Sequence, residues 1–302
     1  MKKYKSLLEQ ISIKPISYLK KGNSLIISTK DKKYVIKEKI NNSLIYSYLE
    51  GRAFKCFKNP IIDNETYEVT EYLDEIPIPQ EQKLEELMKV VALLHNKTTY
   101  YEKTSIAYNK EIYERLKNNI EYLKSYYIDI IALIERKEFM SPSEYLFARN
   151  FTVIMSSLNY DSEKVDEWYK KIKDKESTRF VVIHNNLDLE HFIYNQNKAL
   201  LSWRKAKFGS PIFDLIAIYE KYGNKYDFKS TLEIYENVCP LEKEEKELLH
   251  IFMLLPPKIE FKGNELDLCN YMTKKIELLY NANKIILPNK FKNGEENNQN
   301  KN

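Results

Sequence analysis

Phe180-Val-Val-Ile-His184-Asn-Asn-Leu-Asp-Leu-Glu-His-Phe-Ile-Tyr-Asn-Gln-Asn-Lys-Ala-Leu-Leu-Ser-Trp203 is the stretch on which the reading of the fold turns. Phe180 to His184 is an apolar run too short for a buried helix and closed by Asn185 and Asn186, which makes it a strand. His191 to Tyr194 and Ala199 to Trp203 flank Asn195-Gln196-Asn197-Lys198, a cluster of turn formers, and so predict a β-hairpin. The pattern is strand, polar loop, hairpin.

Working outward, residues from about Ile13 to Tyr72 read as strands with one helix among them, and the chain beyond them turns helical. Ser24 to Thr29 and Lys33 to Lys37 are β-prone runs joined by a short polar turn, and Tyr67 to Tyr72 is a further strand. Asn41 and Asn42 are N-cap candidates for a helix through Leu44, Ile45, Tyr48 and Leu49 that ends at Gly51. Pro77 and Pro79 stiffen a linker over residues 74–80. Beyond it the apolar period becomes helical: Leu84, Leu87, Met88, Val91 and Leu94 form one stripe, with His95 as a packing histidine at its end. Ile112, Leu116, Ile120, Leu123, Tyr127 and Ile131 form a second stripe. Ser141 and Pro142 open a third helix to about Leu158, and Asp161 is expected to open a fourth to about Lys175. Pro211 to Tyr219 starts another helix, with Asp214 in its first turn, and three more follow near residues 230–238, 242–255 and 265–282.

The chain of 302 residues has a formal net charge of only +4, with both signs mixed along the helices, so composition gives no support for nucleic-acid binding. Its three cysteines, Cys56, Cys239 and Cys269, are widely spaced and odd in number, which fits reduced thiols buried as small hydrophobes. No apolar run approaches membrane-spanning length, and the amino terminus carries no signal-like segment, so the expectation is a cytoplasmic protein without membrane contact. Only 6 glycines are present, which leaves little for a phosphate-cradling loop beyond Lys21-Gly22-Asn23-Ser24, itself equally readable as an ordinary hairpin turn. The polar tail, residues 288–302, is expected to be disordered.

The central segment resembles the aminoglycoside phosphotransferase and choline kinase-like family, and within it the spore-coat kinase-like branch. The family's loop reads His-Gly-Asp-Leu-His-x-x-Asn, followed by a hydrophobic strand pair, Ile-Asp-Trp, and Asp-Pro-x-x-Asp-Leu. His184, Leu187, Trp203, Pro211, Asp214 and Leu215 fall on that pattern. The resemblance implies an α+β, two-lobed protein-kinase-like fold. Its small β-rich N-lobe with one helix spans 1–73, its linker 74–80, and its mostly helical C-lobe 81–287, with the catalytic-loop equivalent at 184–203.

The acids of the pattern are missing. Asn186 stands where the family has its catalytic Asp, His191 where it has a metal-binding Asn, and Ser202 where it has a second metal-binding acid. An amide takes up no proton at neutral pH, and losing a general base costs about 10²–10⁴ in rate. Magnesium prefers hard oxygen ligands, which neither a serine hydroxyl nor an imidazole replaces well, so no metal site is expected. Asp188 and Glu190 are the loop's remaining acids; Asp188 could substitute only if the loop were rebuilt to turn its carboxylate toward a substrate.

Further roles follow from the resemblance alone. Lys37 would be the phosphate-contacting lysine, although the helix glutamate that usually pairs with it would fall near Asn42 or Ser43, where there is no acid; Glu38 and Glu50 lie on either side, and the simple reading is a further loss. Glu71 and Leu73 would lie on the hinge strand that pairs with adenine, and His184 and Asp214 would hold the loop in shape. Arg204, Lys205 and Lys207, next to Ser202, could neutralise a phosphate without metal; the plainer reading is a lysine-rich surface loop. ATP is the cofactor implied, and magnesium is not expected. Two function classes follow. One is a catalytically inactive pseudokinase that binds a protein partner or small ligand, in the cytoplasm or incorporated in a spore coat. The other is an active ATP-dependent small-molecule phosphotransferase with relocated acids.

Overall fold

A computed structural model describes residues 15–22, 24–39, 42–63 and 66–287. The described chain divides into two compact units, and the division does not follow chain order: residues 15–98 pack with Val182–Phe208, and Thr99–Val181 packs with residues 209–287. Each is α+β or helical as its hydrophobic period dictates.

The first unit is built on an antiparallel sheet of β1 (Ser17–Lys21), β2 (Ser24–Ser28), β3 (Lys33–Glu38), β4 (Ile62–Asp63) and β5 (Tyr67–Glu71), in the order β1-β2-β3-β5-β4. Between β3 and β4 lies α1 (Ser43–Gly51), and after β5 comes α2 (Gln80–Thr98). Successive strand residues point to opposite faces, so one face carries the core Ile27, Ile36, Tyr67 and Val69 while the residues between them face the other way. The pairing of β3 with β5 sets Ile36 opposite Val69 and Lys37 opposite Glu68. Gly22, at φ 56, supplies the left-handed residue of the β1–β2 turn. Asn23 and Asn41 lie outside the described residues.

Asn42 precedes α1 as expected but does not cap it. Its side chain makes no cap hydrogen bond and its amide donates instead to the Trp203 carbonyl at 2.6 Å. The side chain is held by a tertiary acceptor and takes up no N–H of the first turn. In α2 the expected stripe is fully interior, with Leu87, Met88, Val91 and Leu94 at 0% exposure, and His95 is as buried as they are.

The second unit is predominantly helical: α3 (Ile106–Glu135), α4 (Pro142–Ile172), α5 (Ile212–Tyr222), α6 (Phe228–Glu236), α7 (Lys243–Leu254) and α8 (Glu265–Ile286). The short β6 (Tyr100–Lys103) pairs antiparallel with β7 (Ser177–Ile183), Tyr100 opposite Phe180. The chain passes from this unit to the first within β7. Ser141 caps the start of α4 as expected, with Pro142 in the first turn, and Glu144 completes a capping box with it. The expected break near Leu158 is absent: the third and fourth helices of the sequence reading are one helix of 31 residues. Asp161 has helix-start chemistry, but without a preceding Gly or Pro nothing breaks the hydrogen-bond ladder, and Asp161 is buried at 0% exposure in mid-helix. The predicted tail, residues 288–302, lies outside the described residues. No helix among the described residues is long and apolar enough to cross a membrane.

Candidate active site

The segment after β7 forms a 3₁₀ turn (Leu189–His191), the hairpin strands β8 (Phe192–Ile193) and β9 (Ala199–Leu200), a second 3₁₀ turn (Trp203–Lys205) and β10 (Lys207–Gly209). Phe192 pairs with Leu200 and Ile193 with Ala199, so the expected hairpin is present, and Trp203 lies beyond its second strand. Its apolar residues are interior, with Leu187, Phe192, Leu200 and Trp203 each below 5% exposure. His184 is buried at 0% and one ring nitrogen, Nε2, lies 2.8 Å from the Leu201 carbonyl. A carbonyl only accepts, so Nε2 carries the proton. The same ring meets the Trp203 indole edge to face at 4.8 Å, and Trp203 in turn contacts Phe54 and Phe57. His184 therefore fixes the loop to the hairpin's far end.

The polar positions are arranged differently. Asn186 donates through its side-chain amide to the Ser202 carbonyl at 3.3 Å, and its backbone carbonyl accepts from His191 Nδ1 at 2.8 Å. Ser202 adopts a left-handed conformation, φ 67 and ψ 49, as does Asn185, whose amide donates to the Lys205 carbonyl at 3.2 Å. Such non-glycine conformations carry strain of about 1–3 kcal/mol when surrounding contacts hold them. Asp188 caps the first 3₁₀ turn, its carboxylate accepting from the Glu190 amide at 3.0 Å. Glu190 is exposed.

Lys37, Glu71, Asn186, Ser202 and Arg204 line one cavity of about 250 Å³. Leu73, Asp188, Glu190, His191, Lys205 and Lys207 are not among its lining residues. Asp214 is buried at 0% in the first turn of α5, in the other unit.

The cavity also holds Glu38, one of the two acids flanking the expected position of the lysine's partner, and residues that the sequence reading missed: Glu68, Tyr46 and Lys58. Glu68 is the chief of them, 7% exposed and directly opposite Lys37 across the β3–β5 pair. Burial pulls the Lys37 ammonium below its ordinary value, and the Glu68 carboxylate opposes that shift. The lysine's acidic partner thus comes from a neighbouring strand. Its signal in the sequence is the alternation of Tyr67-Glu68-Val69-Thr70, which puts Glu68 on the face away from the core. Three cations, Lys37, Lys58 and Arg204, and three carboxylates, Glu38, Glu68 and Glu71, line the cavity. Glu71 is drawn off by Lys32 at 3.3 Å. Lys58 and Arg204 have no ion pair among the described residues.

The donor set does not fit a magnesium ion. Asn186 is turned to a backbone carbonyl, His191 offers nitrogen, and no group of three or more His, Cys, Asp or Glu among the described residues is placed to hold a metal.

Solved structures with the same arrangement of elements settle the fold. An aminoglycoside phosphotransferase from Alicyclobacillus acidocaldarius subsp. acidocaldarius DSM 446 superposes with a TM-score of 0.64 at 11% identity, covering 90% of this chain and 91% of that one. The chain has the aminoglycoside phosphotransferase fold. A spectinomycin phosphotransferase solved with AMP shares this phosphotransferase fold at a TM-score of 0.55 and 15% identity, covering 92% of this chain and 97% of that one. The same enzyme solved with ADP and spectinomycin gives 0.52 at 14% identity. No family model and no curated protein matches the sequence. The phosphotransferase fold is therefore established by structure alone.

Proposed function

We propose that this chain uses the phosphotransferase fold as a binding module and does not transfer phosphoryl groups. The observation that carries this reading is the Asn186 amide donating to the Ser202 carbonyl. Phosphoryl transfer in this fold needs an acid to orient the attacking hydroxyl and hard oxygens to hold magnesium. Here the position that faces the cavity presents an amide already committed to the backbone. Asp188 is held as a turn cap.

The ligand supported best is an anionic one, with adenine nucleotide the first candidate. Lys58 and Arg204 line the cavity with no ion pair among the described residues, and the half-buried Lys37 lines it too. A guanidinium presents a planar fork suited to phosphate oxygens, so these groups can neutralise a phosphate directly. The fold neighbour solved with AMP supports nucleotide as the first ligand to try.

A thermal melt with ATP, run with magnesium and again with chelator, tests the reading. Ligand at 100 times its dissociation constant adds about 2.7 kcal/mol, and the expected shift is several degrees in both buffers. Lys37→Ala and Arg204→Ala should each remove most of it, and no phosphate should reach aminoglycoside or amino-alcohol acceptors. A second reading, an active phosphotransferase with a relocated acid, is favoured by Glu68 in the same cavity as Lys37. It requires a shift that depends on magnesium and a turnover that Glu68→Gln abolishes.

A further inference from the structure

The second unit holds a larger cavity, about 830 Å³, with a different chemistry. Aromatic rings from separate elements line it: Tyr108 of α3, Trp168 of α4, Phe180 of β7, Phe213 of α5 and Phe252 of α7. Leu116, Ile172 and Leu248 supply an aliphatic floor, each less than 9% exposed. A void of this size, with aromatic and aliphatic side chains alternating with polar ones in its wall, falls in the range of small-molecule sites. No residue between Val181 and Gly209 lines it, so it shares nothing with the Lys37 cavity.

Most charges in its wall are satisfied by protein. Lys175 pairs with Glu242 at 2.8 Å and Glu244 at 3.5 Å. Arg179 forks onto Glu245 through Nε at 2.9 Å and donates to the Pro240 carbonyl at 3.0 Å. The Trp168 indole N–H is occupied by the Glu244 carbonyl at 3.1 Å. On the α3 rim, Glu111 acts on the Tyr108 phenol and helps hold its ionisation off, after burial. One turn on, Arg115 faces the cavity with no hydrogen bond or ion pair among the described residues, although Glu111 stands at the spacing where helix partners normally meet.

An apolar aromatic chamber with one unpaired guanidinium at its mouth complements a particular kind of molecule. We propose that this cavity binds an amphipathic organic anion: an aromatic or aliphatic body in the chamber and one carboxylate or sulfonate on Arg115. A charge-assisted, forked hydrogen bond at the rim fixes orientation, while apolar burial supplies affinity.

The test uses two fluorophores of the same shape, 8-anilinonaphthalene-1-sulfonate and the uncharged N-phenyl-1-naphthylamine. Both should bind saturably with energy transfer from Trp168, and Trp168→Phe should remove most of that transfer, since Trp203 is the chain's other tryptophan. Arg115 is exposed, so Arg115→Gln should leave folding intact. It should weaken the sulfonate about tenfold, the scale of a lost charge-assisted hydrogen bond, and leave the uncharged fluorophore unchanged. Dodecanoate should displace both, and dodecyltrimethylammonium should not. Ile112→Trp, placed to fill the chamber, should abolish binding of both in a protein of unchanged circular dichroism. Equal effects of Arg115→Gln on the two fluorophores, displacement by the cationic detergent alone, or energy transfer that survives Trp168→Phe would each overturn the proposal.

Discussion

Buried charge is handled differently in the two units. In the helical unit the Arg179 guanidinium is closed in by protein: Glu245 takes two of its nitrogens, the Pro240 carbonyl a third, and the two charged side chains are 8% and 11% exposed. In the sheet unit Lys37 and Glu68 face each other across two strands but border a cavity that also holds Lys58 and Arg204. A charge pair sealed by protein is part of the structure. A charge pair at the wall of a cavity keeps part of its field available to a ligand. The helical unit adds a third case, Asp161, whose two carboxylate oxygens are buried without a hydrogen-bond partner among the described residues.

The largest expected effect breaks the sealed pair. Glu245 also accepts the amide of Glu242 at the start of α7, at 2.9 Å. Glu245→Ala therefore leaves Arg179 buried without its counter-charge and the helix without its cap, which should cost about 3–5 kcal/mol. Denaturant unfolding measures it, with a fall in Tm of about 10 °C expected for a chain of this size.

Asp161→Asn should act in the opposite direction. Burial holds the Asp161 carboxyl well above the ordinary aspartate value. Because its folded value exceeds its unfolded one, the wild type has its full stability from this group below pH of about 3.9 and loses it as pH rises through the folded value. The variant should gain about 1–3 kcal/mol at neutral pH, the scale of an unsatisfied buried polar group, and the gain should vanish in melts run toward pH 4. A gain that persists there would mean a packing effect and not a charge effect.

Lys37→Ala sharpens the comparison. Water entering the cavity can solvate Glu68, so the loss of stability should be about 1 kcal/mol, well under that of Glu245→Ala, while the nucleotide-dependent shift disappears. Equal losses at the two sites would erase the distinction drawn between them. The smallest effect is expected of Asn186→Asp, a near-isosteric change at a half-buried position. It should alter stability by less than about 0.5 kcal/mol and restore no phosphoryl transfer in a radiolabelled ATP assay, because Ser202 and His191 still supply no magnesium site.

Much of the fold was legible because hydrophobic period is local. The stripes of α2 and α3, the helix start at Ser141 and Pro142, and the hairpin around Asn195 to Lys198 each depend on residues a few positions apart. The same locality explains two misreadings. Asp161 looked like a helix start, but its place inside α4 is decided by what packs around that helix. Asn42 looked like a cap, but its amide found the Trp203 carbonyl, 161 residues away.

The sequence by itself determined which residues could be inside, where strands give way to helices, and which segment forms a strand, a polar loop and a hairpin. Those are properties of side-chain chemistry and spacing. Only the tertiary structure decided that Lys37 meets Glu68, that Arg204 and not Lys205 or Lys207 lines the cavity, and that Arg115 opens onto an aromatic chamber. Such juxtapositions depend on strand register and helix packing between distant segments, which no local pattern encodes.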